Sequence, residues 1–365
     1  MSETQVIHSK KRIEAYDVAR ALAILGMIIV NFKIVMGSDT TNAPLLDFAT
    51  SLLEGRAAAL FVILAGVSLS LLSKRARKSD DIVYQRQTQW RILKRAVFLL
   101  IFGMLLTLIW PADILHFYSL YLTFAVLILF VSDRQLWWSA IAIVLMFPIL
   151  FLIFDYGAGW DWDTLTITDF WTVTGMIRHL LFNGLHPFFP WAGFLVIGLW
   201  LGRQNILRVQ FRRRLLAITI ITLVVIEIAS ALLITITTPS LGSELALSFF
   251  GREVIPPTVF YFTSATASAI IVILLLAEFN DYLPNQKWWR ILSSTGQFAL
   301  TIYVAHIVVG MGIMEMMGWI NGNQSLVFTV GYSLLFYVLC ILFTLVWQRQ
   351  FKRGPFEAMM RFLTG

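Results

Sequence analysis

The chain has 365 residues, 58% of them hydrophobic and only 13% charged. That balance excludes an ordinary water-soluble domain, because no globular core absorbs so much apolar surface. The formal charge of +7 excludes little by itself, since in an apolar chain what matters is which loops carry the basic residues.

The pattern is that of an all-α, polytopic membrane protein, a single transmembrane domain over residues 1–365 with polar tails at about 1–17 and 348–365. A helix needs roughly 20 apolar residues to cross the hydrocarbon layer. Ten such runs are expected, at about 18–36, 57–73, 96–110, 114–131, 136–154, 187–202, 215–236, 257–277, 295–318 and 325–347. Lys10, Lys11 and Arg12 precede the first run and no small-residue cleavage site follows it, so it reads as a retained signal anchor. Basic residues then gather in alternate loops: Lys74 to Arg95 after the second run, Arg203 to Arg214 after the sixth, and Arg349, Lys352 and Arg353 in the tail. By the positive-inside rule both termini are cytoplasmic, in a bacterial-type inner membrane, and an even number of spans agrees. The basic loops face lipid, and no nucleic-acid partner is implied.

Pro111-Ala112-Asp113 alone separates the third and fourth runs, which makes Asp113 an outer residue of a tight helical hairpin. Two outer segments, 37–56 and 155–186, are long enough to build something. The second holds Trp160, Trp162, Asp169, Trp171, Arg178 and His179, and part of it has the character of an interfacial amphipathic helix. The other tryptophans near span ends form an aromatic belt. Gly198 and Gly202 make a small-xxx-small pattern suited to helix packing. Cys340, the single cysteine, lies in an apolar run and reads as packing, so neither a disulfide framework nor a thiol pair for a metal is expected. There is no Gly-rich phosphate loop, zinc-ligand spacing or nucleophile elbow, and no tightly bound cofactor is implied. No internal repeat is visible, which takes support from a transporter fold.

The candidate site residues are polar groups placed where a membrane helix tolerates them least. Arg20 lies three residues after Asp17, and Asn31 eleven after Arg20, so at about 100° per residue the three share nearly one face. Asp17 and Arg20 mark an inner mouth, as a helix anchor or as part of a ligand site. Asn31, about 20 Å along the helix, is too deep for an interfacial group. His116 follows Asp113 by three residues; the carboxylate either orients the imidazole for acid/base work or caps the helix beside a wet histidine. His179 and His186 flank the outer end of the sixth run, and Arg178 stands beside them. His306 lies near mid-depth of the ninth run, facing a cavity or a partner. Arg56, with Glu54, and Glu315 lie near outer span ends, where long side chains snorkel to the surface or join a site.

Arg12 to Ala21 followed by Asn31 resembles the first helix of YeiB-type membrane proteins and the heparan-α-glucosaminide N-acetyltransferase-like enzymes. Ala58 to Ser68 is similar to their second helix, and Ala112 to Tyr118 to the start of their fourth. Phe189 to Gly193 with Gly202-Arg203, Gly296 to Tyr303, and Gly354 to Glu357 extend the likeness along nearly the whole chain. The resemblance implies an acyl group, acetyl among the candidates, passed from cytoplasmic acyl-CoA to a small-molecule or glycan acceptor on the outer side. It also implies a homodimer. In the N-acetyltransferase branch an Asn of the first helix and a His eleven residues beyond it carry the chemistry. Asn31 matches the first, but the second position holds Asn42, and an amide cannot take a proton.

The leading expectation is therefore a membrane acyltransferase. Asn31 positions or polarises the acyl carbonyl, and an imidazole from another helix, His116 with Asp113 before His306, removes the acceptor's proton. Arg20 with nearby inner basic residues binds acyl-CoA, and Asp17, Arg56, His186 and Arg178 are further expected binding residues for substrate or acyl-CoA. The competing expectation is a carrier or exporter on the same scaffold that has lost the chemistry.

Overall fold

A computed structural model describes residues 13–162, 166–282 and 286–365. Lys10, Lys11 and Arg12 of the basic amino end lie outside them. Helix α1 (Glu14–Met36) stops at Gly37, whose left-handed backbone (φ 55°) turns its amide onto the last carbonyls of the helix. The short α2 (Pro44–Ser51) leads into α3 (Arg56–Arg77). Asp81 opens α4 (Ile82–Leu106) by accepting from the Val83 and Tyr84 amides. After α5 (Leu115–Ile128), a Ser132–Gln135 capping box opens α6 (Asp133–Ile153).

A two-residue antiparallel ladder then pairs β1 (Trp160–Asp161) with β2 (Thr166–Ile167). Helix α7 (Val173–Arg178) runs into a π-helical turn at His179–Asn183, and α8 (Phe188–Leu201) follows. The long α9 (Val209–Leu241) is joined by α10 (Ser243–Phe250) to α11 (Val259–Tyr282). Beyond α12 (Lys287–Gly296), α13 (Ala299–Ala305), a second π-helical stretch (His306–Met311) and α14 (Gly312–Met316) form one span. The chain ends with α15 (Leu326–Trp347) and α16 (Pro355–Thr364).

Among the described residues, seven helices are long and apolar enough to cross a membrane, or eight when α7 and α8, bent by 51°, count as one crossing. Every one of the ten expected runs falls on a helix, yet two do not qualify. The run at 96–110 is the second half of α4, whose first half carries Arg86, Arg91, Lys94 and Arg95. The run at 114–131 is α5, only 14 residues long. A hydropathy reading separates charge from apolar stretch, whereas a helix runs through both.

Helix α1 is central, packed by α3, α11, α12, α13 and α15. Glycine sets one close crossing: a Cβ on Gly66 would strike the Leu195 carbonyl of α8, and one on Gly198 the Ile63 carbonyl of α3. Cys340 is buried in the same core. On the outside, α9 presents Ile221, Val225, Ile228, Leu232 and Ile236, as a helix solvated by lipid does. The start of α1 and the final helix α16 share one end of the bundle, since Arg20 and Arg361 line the same cavity there. We call this the terminal end and its opposite the far end.

Part of the segment 155–186 is helical, in α7 and the π-helical turn that continues it to Asn183. Its described residues form the β1–β2 ladder, the short α7 and the π turn, and their polar groups find partners inside the segment. The Asn183 amide donates to the Tyr156 and Ala158 carbonyls (3.0 and 2.9 Å), the Trp160 indole donates to the Asn183 carbonyl (2.8 Å), and Arg178 pairs with Asp169 (2.6 Å).

Candidate functional site

Three cavities organise the polar side chains. The largest, about 590 Å³, lies toward the far end between α1, the start of α3, the 109–114 turn, α13 and α14; Asn31, His186, Tyr303 and Glu315 are among its lining residues. A smaller one, about 270 Å³, lies beneath the 155–186 segment, lined by Trp160, Phe170, Trp171 and His179. The two share Pro111 and Leu185 as walls. The third, about 370 Å³, opens at the terminal end among Arg20, Arg95, Lys352, Arg353, Arg361 and Glu357.

At the large cavity, the Asn31 side-chain amide lies 3.0 Å from His306 Nε2. The other ring nitrogen, Nδ1, is hydrogen-bonded to the Tyr303 carbonyl. A carbonyl only accepts, so Nδ1 carries the proton, Nε2 presents its lone pair, and Asn31 is the donor. His306 is buried and does not line the cavity; Asn31 stands between them. His306 opens the π-helical stretch in the α13–α14 span, and such one-turn widenings are frequent at functional sites. Asn42, at the position where the resemblance implies a histidine, is exposed on the turn before α2. The imidazole that reaches Asn31 comes from another helix instead.

His116 and Asp113 are together, with His116 Nδ1 3.2 Å from Asp113 Oδ2, but their surroundings differ from a wet outer turn. Both are fully buried and line neither far-end cavity. Asp113 also accepts from the Leu115 amide (2.8 Å) and from the Tyr303 hydroxyl (2.9 Å). His116 Nε2 lies 3.1 Å from His179 Nε2. Thus Asp113 caps α5 and orients an imidazole at once, and its desolvation is offset by these donors. Tyr303 links both histidine groups, its carbonyl holding His306 and its hydroxyl holding Asp113. Tyr303 was not singled out from the sequence; its position three residues before His306, one helical turn, was the available signal.

Of the remaining candidates, Arg20 donates to Asp17 (2.8 Å), Ser68 (2.9 Å) and the Gly296 carbonyl (3.3 Å), which ties α1 to α3 and α12 and leaves it at the edge of the terminal cavity. Asp17 is buried behind it and does not line that cavity. His186 lines the large cavity with its ring edge against Trp191, centroids 4.5 Å apart.

Two residues expected to bind substrate or acyl-CoA are engaged elsewhere. Arg56 neither reaches the surface freely nor lines the large cavity: it donates to Glu227 (3.3 Å) and Ser264 (3.1 Å), and Glu227 also pairs with Arg252. Arg178 is held by Asp169 within its own loop, outside the three cavities. A partly buried guanidinium takes the nearest carboxylate, and spacing along the chain does not reveal which one that is. At the far end, Lys33 joins α1 to α2 and the turn after it through Asp47 (2.7 Å) and Glu54 (3.0 Å).

A family model described as "Heparan-alpha-glucosaminide N-acetyltransferase, catalytic" matches residues 12–231, more than half of the chain. The chain belongs to that N-acetyltransferase family. A second model, "Protein of unknown function (DUF418)", matches residues 201–365, and a comparison with curated proteins finds no match. The match to the N-acetyltransferase family contains Asn31, Asp113, His116, His179 and His186, whereas Tyr303, His306 and Glu357 lie in the region matched by the second model alone. The Asn31–His306 contact therefore joins the two matched regions.

Proposed function

We propose that this membrane N-acetyltransferase-like protein transfers an acyl group from acyl-CoA to an amine or hydroxyl acceptor, with Asn31 and His306 at the point of transfer. The observation that carries this reading is the 3.0 Å contact between the Asn31 amide and an unprotonated His306 Nε2. An amide nitrogen has two hydrogens, so Asn31 can hold the imidazole with one and donate to a thioester carbonyl in the cavity with the other. As Asn31 shifts to the developing oxyanion, Nε2 takes the acceptor's proton. The acceptor's N–C or O–C bond forms, the C–S bond breaks, and the thiol leaves with one proton. The matched family's name suggests a glucosaminide amine as the acceptor.

The donor's phosphates suit the terminal cavity. Arg95, Lys352, Arg353 and Arg361 have no carboxylate pair among the described residues there, so the cavity has an excess of cations that a polyanion would neutralise. Arg20 and Asn31 lie about 16 Å apart along α1, a span that a pantetheine arm is long enough to follow. By the positive-inside rule the terminal end is cytoplasmic, so the acceptor enters from the outer side. In the runner-up reading the protein is a carrier. It draws on the large and terminal cavities lying toward opposite ends without a shared lining residue.

Purified protein in liposomes, given labelled acetyl-CoA and D-glucosamine, distinguishes the two. Acyl transfer predicts label on the amine and free CoA. Solute flux without acetyl-CoA consumption would replace this reading with the carrier.

A further inference from the structure

Asp113, His116, His179 and Tyr303 are buried groups able to exchange protons, and the Asn31–His306 step uses none of their side chains. Together they form an unbroken chain between the two far-end cavities. Tyr303, in the wall of the large cavity, donates its hydroxyl proton to Asp113 Oδ1 (2.9 Å). Asp113 Oδ2 lies 3.2 Å from His116 Nδ1, and His116 Nε2 lies 3.1 Å from His179 Nε2. His179 is only 3% exposed, lines the smaller cavity, and has no hydrogen-bond partner for its Nδ1 among the described residues. Capping of α5 accounts for Asp113, but not for two imidazoles in line behind it or for a buried nitrogen left with an unmatched lone pair. A buried polar atom of that kind calls for an explanation.

The donor order follows from the carboxylate. Asp113 accepts from both sides, so His116 carries its proton on Nδ1 and His179 carries one on Nε2, leaving a lone pair on His179 Nδ1. Every donor in the chain points toward Asp113. His179 also opens a π-helical turn, as His306 does, and the exposed Trp171 flanks its cavity.

The geometry points to a proton relay that supplies the large cavity from the smaller one, with Tyr303 as the acid that protonates the departing thiolate. This rests on the acyl-transfer reading above. A proton from water in the smaller cavity binds His179 Nδ1 as the Nε2–H bond breaks toward His116 Nε2. The His116 Nδ1–H bond then breaks toward Asp113 Oδ2, rotation of the carboxyl carries that proton to Tyr303 Oη, and the original Tyr303 proton goes to the thiolate sulfur. One proton leaves water and one S–H bond forms, which leaves the four relay groups with their charges unchanged, both imidazoles in their opposite tautomers and one hydroxide in the smaller cavity. His306 keeps the separate task of taking the acceptor's proton, which it gives up to water after transfer so that it neutralises the hydroxide left by the relay. Arg178, His186 and Asp169 are the other ionisable groups around His179, and Tyr118 and His306 those beside Tyr303.

The test follows acetyl-CoA turnover with D-glucosamine in the liposome-embedded full chain. For H179A the relay predicts a fall in kcat of roughly 10²-fold with KM for acetyl-CoA unchanged, and recovery when imidazole is added, since the deleted ring leaves room beside the smaller cavity. Y303F is expected to lose kcat similarly without recovery by imidazole. An H179A protein with wild-type kcat, or one whose lost activity imidazole does not restore, overturns the relay while leaving acyl transfer intact. If the wild-type chain does not turn over acetyl-CoA, acyl transfer falls and the relay falls with it.

Discussion

Asn31 and His306 are 275 residues apart in sequence and 3.0 Å apart in space, and the account stands first on that pair. Replacing His306 by Ala is expected to lower acetyl transfer by roughly 10² to 10⁴-fold, the usual contribution of a positioned base, with protein yield and donor binding retained. Asn31→Ala removes both the carbonyl donor and the partner of Nε2 and is expected to cost as much; kcat measured for both variants and the double variant checks this. Because the two act as a unit, the double variant should be little worse than either single one. Asn31 was legible from the sequence, since an amide that deep in an apolar helix needs a partner. Its partner was not, because the period of α1 gives a face but not the neighbour of that face. Arg56 and Arg178 show the same limit: both were visible as charges in unusual places, but not the carboxylates that hold them.

Helices were the most legible level, because apolar stretches and their breaks follow directly from the cost of leaving backbone groups unpaired in lipid. What hydropathy did not reveal was the join between charged and apolar halves of α4, or the folding of 155–186 into a loop closed by its own hydrogen bonds. Two contacts between elements give direct tests. Gly198→Leu forces a side chain into the Ile63 carbonyl, where only backbone movement relieves the clash. It is expected to destabilise the detergent-solubilised protein by about 1–3 kcal/mol or more, measured by thermal unfolding, while Leu199→Ile, on the same turn, costs less.

The second contact is Glu357 of α16, which accepts from the Leu300 and Thr301 amides (2.7 and 3.1 Å) and from the Thr301 hydroxyl (2.5 Å), closing the amino end of α13. Glu357→Ala leaves those donors unmatched at a cost of about 1–3 kcal/mol. Burial raises the Glu357 carboxyl above its ordinary value, against the pull of these hydrogen bonds. The folded state then binds its proton more readily than the unfolded one. This contribution to stability is full below the unfolded value of 4.5 and is lost as pH rises through the raised folded value. Thermal stability recorded across mildly acidic pH should show this slope in the wild type and lack it in Glu357→Gln.

Considered as one object, the protein places a cation-rich cavity at one end of α1 and a mixed polar and apolar cavity near the other, with Asn31 in the wall of the second and His306 buried behind it. A donor held by its phosphates at the terminal end should bind less tightly as salt rises. Arg95→Glu should weaken acetyl-CoA binding by at least tenfold and leave the response to acceptor concentration unchanged, as titration in detergent would show. The basic loops were legible as a group, but their convergence on one cavity was not. Arg20, Arg95 and Arg361 come from three helices distant in sequence, and only tertiary packing brings them together.

Sidedness and chemistry meet in one assay. Liposomes carrying the protein with its terminal end outward are supplied with labelled acetyl-CoA outside and D-glucosamine sealed inside. The account predicts labelled N-acetylglucosamine in the lumen for the wild-type chain and its loss by at least two orders of magnitude in His306→Ala. Equal luminal product in the two proteins, or none in either while acetyl-CoA stays intact, would contradict it.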